Sequence, residues 1–425
     1  MPFSDHPLRY RLANELHARP FPTVSAPSRV VYLAIKRNAD AAARDRGADR
    51  AHLILLLDRH GAAHPQPGAT HYTGQIGRHR IKWESHTEFV TYTVFTDGDG
   101  LGPFDPAAFD LFPKDWLEDS PGERMSSVLI EVLPRPSDDR IVTHLQDWFV
   151  PESLAAAHVL DDAGVAAGDF RIDPAGHMRF ALFVNPDTGE RRVGRVLQRL
   201  CEMETYKAMS MLGFARAQDL SPAVGRLDAA LSGLMAEMTD AVTPPEDTLP
   251  RLLEISAELE RIGAEAAFRF GATRAYEAIV QQRTAALREA RFTGRQTFAD
   301  FMQRRYEPAM RTVAATERRI ETLSDRAMRA GDLLRTKVDV DRSAQNQKLL
   351  ESMDRRADMQ LRLQHTVEGL SVVAVSYYAV SLAGYVLAPL GAEAGFGKEA
   401  VMAMVALPVI AAVWVMVRRI RRRFR

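Results

Sequence analysis

Six of the twelve histidines fall in one stretch, at His52, His60, His64, His71, His79 and His86. Imidazole is the commonest protein ligand for transition metals, so clustered histidines are the first residues to test for a metal centre. The tightest group adds carboxylates: Glu84, His86 and Glu88 recur at every second residue. In an extended strand that spacing puts all three side chains on one face, and two carboxylates with an imidazole make a donor set for a divalent cation. Arg80 and Lys82 continue the alternation with opposite charge. The competing reading is therefore a solvated strand face held by simple cross-strand ion pairs. The histidines spread over segments that read as a helix, a loop and strands, without a C-x-x-C partner.

Other chemistry has less to stand on. Asp97-Gly98-Asp99-Gly100 lacks the third oxygen ligand of a calcium loop and the glutamate at its twelfth position, and reads as a turn. Residues 391–398 place glycines ahead of Lys398, but Glu399 stands where a phosphate loop needs Ser or Thr. No G-x-S-x-G, H-E-x-x-H or dinucleotide fingerprint is present. An enzyme would need a pocket assembled from residues 83–88 and 9–19. Cys201, the single cysteine, excludes an intrachain disulfide, fits a reducing compartment and reads as a buried, inert thiol inside a helical pattern. No organic cofactor is implied, and a divalent cation is the one metal class these patterns admit.

Two styles of folding must position these residues. Residues 1–190 mix periods and predict an α/β or α+β domain. Its elements are a helix over 8–17, a strand over 29–36, a helix over 49–60 and two or three antiparallel strands between 70 and 96. Further strands cover 126–133 and 178–184, the latter joined through Asp173-Pro174-Ala175-Gly176 to a partner at 169–172. Residues 191–345 read as long helices. One covers 193–241 with an interruption at Ser221-Pro222, one covers 249–291, and a third starts at Phe298 and kinks at Pro308. This third helix continues as a stalk over 346–369.

A 3.5-residue repeat runs along that stalk. Alternating steps of three and four from Asn346 visit Leu349, Met353, Arg356, Gln360, Leu363, Val367 and Leu370, then Ala374, Tyr377, Ser381 and Gly384. Such a repeat is the signature of a coiled-coil seam. Its polar members fit three readings: a seam that sets register between copies, a stalk lining a wet axis, or a face packed on the chain's own domain.

Residues 370–390 and 400–417 are apolar runs without Asp, Glu, Lys, Arg or His. At ~1.5 Å per residue the first reaches ~31 Å, the hydrocarbon thickness of a bilayer. They predict a two-helix transmembrane hairpin with a short periplasmic loop over 391–399. The basic tail over 418–425, with Arg418, Arg419, Arg421, Arg422, Arg423 and Arg425, would hold that end in the cytoplasm, and a hairpin returns the N-terminal part to the same side. The first residues lack an apolar signal segment, so insertion falls to the hairpin. The lack of ionisable groups weighs against a proton-coupled pump. Ser376, Tyr377, Ser381 and Gly384 suit either helix packing or a polar pore lining.

The chain carries 55 basic and 55 acidic residues, and up to Val417 it has six fewer basic than acidic ones. The dense basic cluster lies beside a predicted span, where lipid headgroups account for it, so nucleic acid is not an expected partner. The expected partners are the lipid bilayer and further copies of the chain.

The run His6-Pro7-Leu8-Arg9-Tyr10-Arg11-Leu12-Ala13-Asn14-Glu15-Leu16-His17-Ala18-Arg19-Pro20, with Trp83-Glu84-Ser85-His86-Thr87-Glu88-Phe89 and Val367-Glu368-Gly369-Leu370-Ser371, resembles an uncharacterised bacterial family of membrane-anchored proteins over its full length. That resemblance carries no activity. In element order the chain also resembles the CorA-type magnesium transporters, and Gln345-Asn346-Gln347-Lys348-Leu349-Leu350-Glu351-Ser352-Met353 is similar in character to the segment entering their pore. This second resemblance implies a homo-oligomer in the bacterial inner membrane, with a cytoplasmic sensing domain and first spans around a conducting axis for a cation or small solute. The alternative is a non-transporting tethered scaffold or ligand sensor. The Gly-Met-Asn signature of those transporters is missing, with Gly384-Tyr385-Val386-Leu387-Ala388-Pro389 in its region, so magnesium selectivity does not carry over.

Overall fold

A computed structural model describes residues 4–15, 21–37, 44–97, 102–239, 245–393 and 397–421. The turn expected at 97–100, the end of the helix expected over 8–17, part of the loop at 391–399, and Arg422, Arg423 and Arg425 lie outside the described residues. The chain divides into two compact units, residues 1–243 with 247–330, and residues 331–425 with 244–246.

In the first unit a short helix, α1 (Arg9–Glu15), precedes strand β1 (Ser28–Lys36). β1 reads Val-Val-Tyr-Leu-Ala-Ile through its middle and is buried on both faces up to Lys36, which suits the interior of a sheet. After α2 (Arg46–Arg59), the alternating segment forms a meander of β2 (His71–Ile76), β3 (His79–Ser85) and β4 (Phe89–Thr96). A 3-10 turn (Pro106–Leu111) and α3 (Lys114–Glu118) lead to β5 (Glu123–Pro134), then α4 (Asp138–Trp148) and the strands β6 (Ala155–Val159), β7 (Gly164–Ile172) and β8 (Met178–Val184). With β9 (Ala290–Arg291) these make a nine-stranded sheet in the order β2-β3-β4-β1-β5-β8-β7-β6-β9. The β5–β8 pair is parallel and the others are antiparallel, so the sheet is mixed.

Helices α2, α3 and α4 cover one face. Leu53, Leu56, Leu57, Trp116, Ile141 and Leu145 meet Val31, Leu33, Ile81, Trp83, Tyr92 and Leu129 in the main core. The other face is covered by α5 (Glu190–Thr239), whose Thr205 hydroxyl lies 2.7 Å from the buried Tyr32 hydroxyl of β1. Helix α6 (Pro245–Ala286) runs against α5 so closely that a methyl at Gly213 would collide with Thr273. After α7 (Phe298–Phe301) and a π turn (Met302–Tyr306), α8 (Glu307–Glu393) begins, and Val313, Ile320 and Ala327 bury one stripe of it at seven-residue spacing. In the second unit the rest of α8 is followed by α9 (Lys398–Arg421). Two helices, α8 through its C-terminal part and α9, are long and apolar enough to cross a membrane.

Three expectations are corrected. Pro222 does not interrupt α5, because burial of Leu220 and Val224 outweighs the one hydrogen bond its ring removes. The second long helix stops at Ala286 rather than 291. Leu287, Phe292 and Phe298 are wholly buried, and Arg288 turns through φ 48° to let the chain add β9 to the sheet edge. The kink at Pro308 takes the form of the π turn. A proline here cannot donate to residue 304 and crowds its carbonyl, and a wider turn over 302–306 relieves both.

Between sheet and loops, Arg29 of β1 and Glu131 of β5 form a buried ion pair at 2.7 Å; Glu131 also accepts the Phe104 N–H, and Arg29 donates to the Gly102 carbonyl. Arg29→Met leaves Glu131 buried without its cation. A loss of about 3 kcal/mol is expected in urea unfolding followed by tryptophan fluorescence.

Candidate functional site

Strict alternation along three adjacent strands builds a polar layer. On β3, Ile81 and Trp83 enter the main core while Lys82 and Glu84 face the other way; on β4, Val90, Tyr92 and Val94 are core while Thr91 and Thr93 share the opposite face; on β1, Tyr32 does so. Register sets these side chains in rows: Lys82 opposite Thr93, Thr93 opposite Tyr32, and Glu84 opposite Thr91. Helix α5 answers with Gln198, Cys201, Glu202 and Thr205, spaced i, i+3, i+4 and i+7 on one face. Between them lies a chamber of about 30 Å3, room for one or two waters.

The chamber's charges are mutually neutralised. Lys82 Nζ stands 3.2 Å from Glu84 and donates to Gln198 Oε1 at 3.2 Å. Gln198 donates to Glu202 at 2.7 Å, and Arg283 of α6 closes the chain on Glu202. Lys82 and Glu84 are 7% and 8% exposed, so the pair is desolvated and its geometry matters. Burial, reinforced by the nearby carboxylates Glu202 and Glu204, pushes the Cys201 thiol far up, out of the range where a thiolate forms.

A second, larger cleft of about 470 Å3 opens outward from the chamber, sharing His86, Phe89 and Tyr206 with it. Its wall comes from α1 (Leu12), the start of α2 (Arg46), the β3–β4 connection (Ser85, His86, Thr87), α5 and α6 (Tyr276, Ile279). His86 stacks on Phe89 at 4.4 Å, and its Nδ1 lies 3.4 Å from the Tyr206 hydroxyl. Behind the wall, Glu88 accepts from Tyr276 at 2.8 Å and pairs with Arg269. Burial and this carboxylate raise the Tyr276 phenol well above its ordinary range, keeping it a neutral donor. The cleft thus lies where Ser85, His86 and Thr87 meet Leu12 of α1.

The residues singled out in the sequence are only partly brought together. Glu84, His86 and Glu88 do not share a strand face: β3 ends at Ser85 and β4 starts at Phe89, so the alternation breaks at the turn between them. Glu84 and His86 face the chamber, whereas Glu88 turns to Arg269. The face is also not solvated, since α5 covers it. Among the described residues no three His, Cys, Asp or Glu are grouped to hold a metal ion. The histidine run disperses: His52 is buried between Tyr92 OH (3.1 Å) and the Trp116 carbonyl (2.9 Å), and His64 meets Asp58 at the surface. Thr91 and Thr93 were missed, as were Gln198, Glu202 and Thr205 of α5, while Lys82 was read only as a cross-strand partner and Cys201 only as a buried thiol. On β3 and β4 the signal was period-two alternation of polar with apolar residues, and on α5 the charged residues Arg195, Arg199, Glu204 and Lys207 mask the polar face.

Along α8 the seam residues Asn346, Leu349, Met353, Arg356, Gln360, Leu363 and Val367 are exposed, Leu349 at 59% and Val367 at 54%. Tyr377 is exposed and Ser381 half-buried, but Gly384 is buried against Met402 of α9, where a methyl would collide with the sulfur. A 3.5-residue line on a straight helix drifts ~20° per heptad, or ~110° between Asn346 and Gly384, so its end faces a different neighbour from its start. Arg418 and Arg419 follow Trp414 at the end of α9, and Arg418 lies over its ring at 4.9 Å.

A family model described as "Protein of unknown function (DUF3422)" matches residues 4–424. No curated protein matches the chain. Folded protein is expected to leave Cys201 unalkylated by iodoacetamide over hours and to react fully in guanidinium, as read by intact-mass spectrometry; rapid native labelling contradicts the buried, protonated thiol.

Proposed function

We propose that this chain, which belongs to the DUF3422 family of proteins of unknown function, is a self-assembling membrane protein whose sheet domain senses a small ligand. The observation that carries the reading is the exposed seam of α8, which continues into an apolar stretch of the same helix. Leu349, Met353, Leu363 and Val367 leave a stripe of large apolar side chains in water, and facing copies of the same stripe would cover it. In a membrane, α8 and α9 form the hairpin, the six terminal arginines stay in the cytoplasm of a bacterial cell, and the loop at 391–399 faces the periplasm. A CorA-like arrangement follows, with residues 1–190 and the long helices over 191–345 on the cytoplasmic side and first spans around an axis.

Sensing is supported by the path from the cleft to the root of α8. Tyr206 lines the cleft; one turn on, Ser210 Oγ lies 2.8 Å from the hydroxyl of Tyr306, the last residue of the π turn, and the Ser210 carbonyl accepts from Thr273 at 3.3 Å. Irregular turns inside long helices recur at functional positions.

Conduction of a cation or small solute is the first version of this reading, favoured by the Tyr377 and Ser381 hydroxyls on the seam. A non-conducting tether is the second, favoured by Gly384, which serves the contact with α9. Leu349→Cys is expected to give disulfide-linked dimers in detergent and in membranes, while Glu351→Cys, about 200° round the helix, does not. A strict monomer overturns the assembly. Assembly without divalent-cation flux into liposomes leaves the tether.

A further inference from the structure

We infer that the outer cleft binds a small organic anion, a carboxylate or phosphate monoester, with its charged group against Arg46, Ser85 and Thr87 and its organic part against Phe89 and Tyr206. This rests on reading the sheet domain as a ligand-binding module. At about 470 Å3 the cleft has the size of a small-molecule site. Its lining is asymmetric in charge: Arg46, Thr70, Ser85, Thr87 and His86 line it, and no described lining residue is a carboxylate. An anion would gain charge-assisted hydrogen bonds there, whereas a cation would meet Arg46 with no counter-charge in the wall.

Arg44 adds an independent observation. Its side chain is 3% exposed, its Nη2 donates to Ser85 Oγ at 2.7 Å, and its Nε stands 2.9 Å from the Asp49 carboxylate. Among the described residues its buried Nη1 meets no acceptor, nor does Nε of Arg37. Because the Ser85 oxygen accepts from Arg44, its own hydrogen is left for an acceptor on the cleft side. Arg44 is thus a positioning residue: it turns Ser85 into a donor without touching the ligand.

The surrounding charges point the same way. Burial lowers the Arg44 guanidinium despite Asp49, and Arg46 and Arg37 lower it further. The Lys36 ammonium is lowered by burial and by Arg269. Of the facing carboxylates, Glu88 is committed to Arg269 and Tyr276, Asp49 to Arg44, and Asp45 to capping α2 through Gly47 and Ala48 N–H. Among the described residues, cations outnumber the carboxylates left to them. The inner chamber, by contrast, has its charges closed on one another, which leaves the outer cleft as the part with capacity for a charged guest.

Four probes with one ring and different charge test this: benzoate, phenyl phosphate, benzyl alcohol and benzylamine, titrated into full-length protein in detergent by calorimetry. Benzoate or phenyl phosphate should bind, benzylamine should not, and inorganic phosphate should bind more weakly than phenyl phosphate. Ser85→Ala should weaken the anion by about tenfold, and Arg46→Glu, at an exposed position, should abolish it and admit benzylamine. Arg44→Lys should weaken the anion in the wild-type Ser85 background and change little when Ser85 is already Ala. Preferential binding of benzylamine or benzyl alcohol, lost in His86→Ala, overturns the anion class while leaving the domain a ligand-binding module. Binding of none of the four at millimolar concentration overturns both, and leaves assembly to be judged by cross-linking.

Discussion

The sheet is buried on both faces, yet one of those faces carries charge, and the arrangement of the first unit follows from that constraint. Lys82 and Glu84 cannot be left under a helix unless the helix supplies partners, because isolated buried ions cost several kcal/mol each. Helix α5 supplies Gln198 and Glu202, and α6 supplies Arg283 to neutralise Glu202. This one network fixes which face of α5 meets the sheet and where α6 must lie beside it. The apolar contacts around it, Val30, Leu197 and Phe95, are interchangeable in a way the ion chain is not. A polar network satisfied throughout specifies one packing among the many that apolar surfaces allow.

The cleft is a consequence of the same arrangement. α5 and α6 are pinned at Gly213 and Thr273 and tied to the sheet through Glu202, while the β3–β4 connection must turn outward once strand pairing ends at Ser85. The rings of His86, Phe89, Tyr206 and Tyr276 fill the angle between them, edge to face for the most part, and leave the space beyond open. Glu88, drawn back to Arg269, keeps its negative charge behind this wall.

Much of the fold was legible in the sequence because its signals are local. β1 follows from its β-branched and aromatic residues, and the three-strand meander, β8 and the turn at 173–176 from alternation, β-formers and turn chemistry. β6 escaped because Ala155-Ala156-Ala157 has neither a strand former's branching nor an alternating pattern; it is a strand because β7 and β9 flank it. Pro222 misled for the opposite reason: a local penalty of ~3 kcal/mol is small against burial along a 50-residue helix. At the site, the alternation of Glu84, His86 and Glu88 is real in the sequence but crosses a strand end. Periodicity carries no information about where pairing stops. Glu84 is a near neighbour of Lys82 in the sequence, but its α5 partner Gln198 lies 116 residues away, beyond the reach of any spacing argument.

The seam of α8 shows how a pattern can be correct and still incomplete. Its 3.5-residue period only keeps one face toward a partner if the helix supercoils, and a lone helix of 3.6 residues per turn rotates that line away. In one chain the line therefore passes from exposed apolar residues at Leu349 and Val367 to a glycine buried against Met402. The two ends have different surroundings: Met402 of α9 meets the far end, and the near end has large apolar side chains exposed. Gly384 suits the first because only a residue without a side chain lets α9 approach so closely. Leu349, Met353 and Leu363 suit the second because γ-branched and flexible apolar side chains are what a facing helix interdigitates with. If copies of α8 do wind together, supercoiling would hold Arg356 and Gln360 on the same line as Leu363, where each is neutral to a single chain and specific to an assembled one.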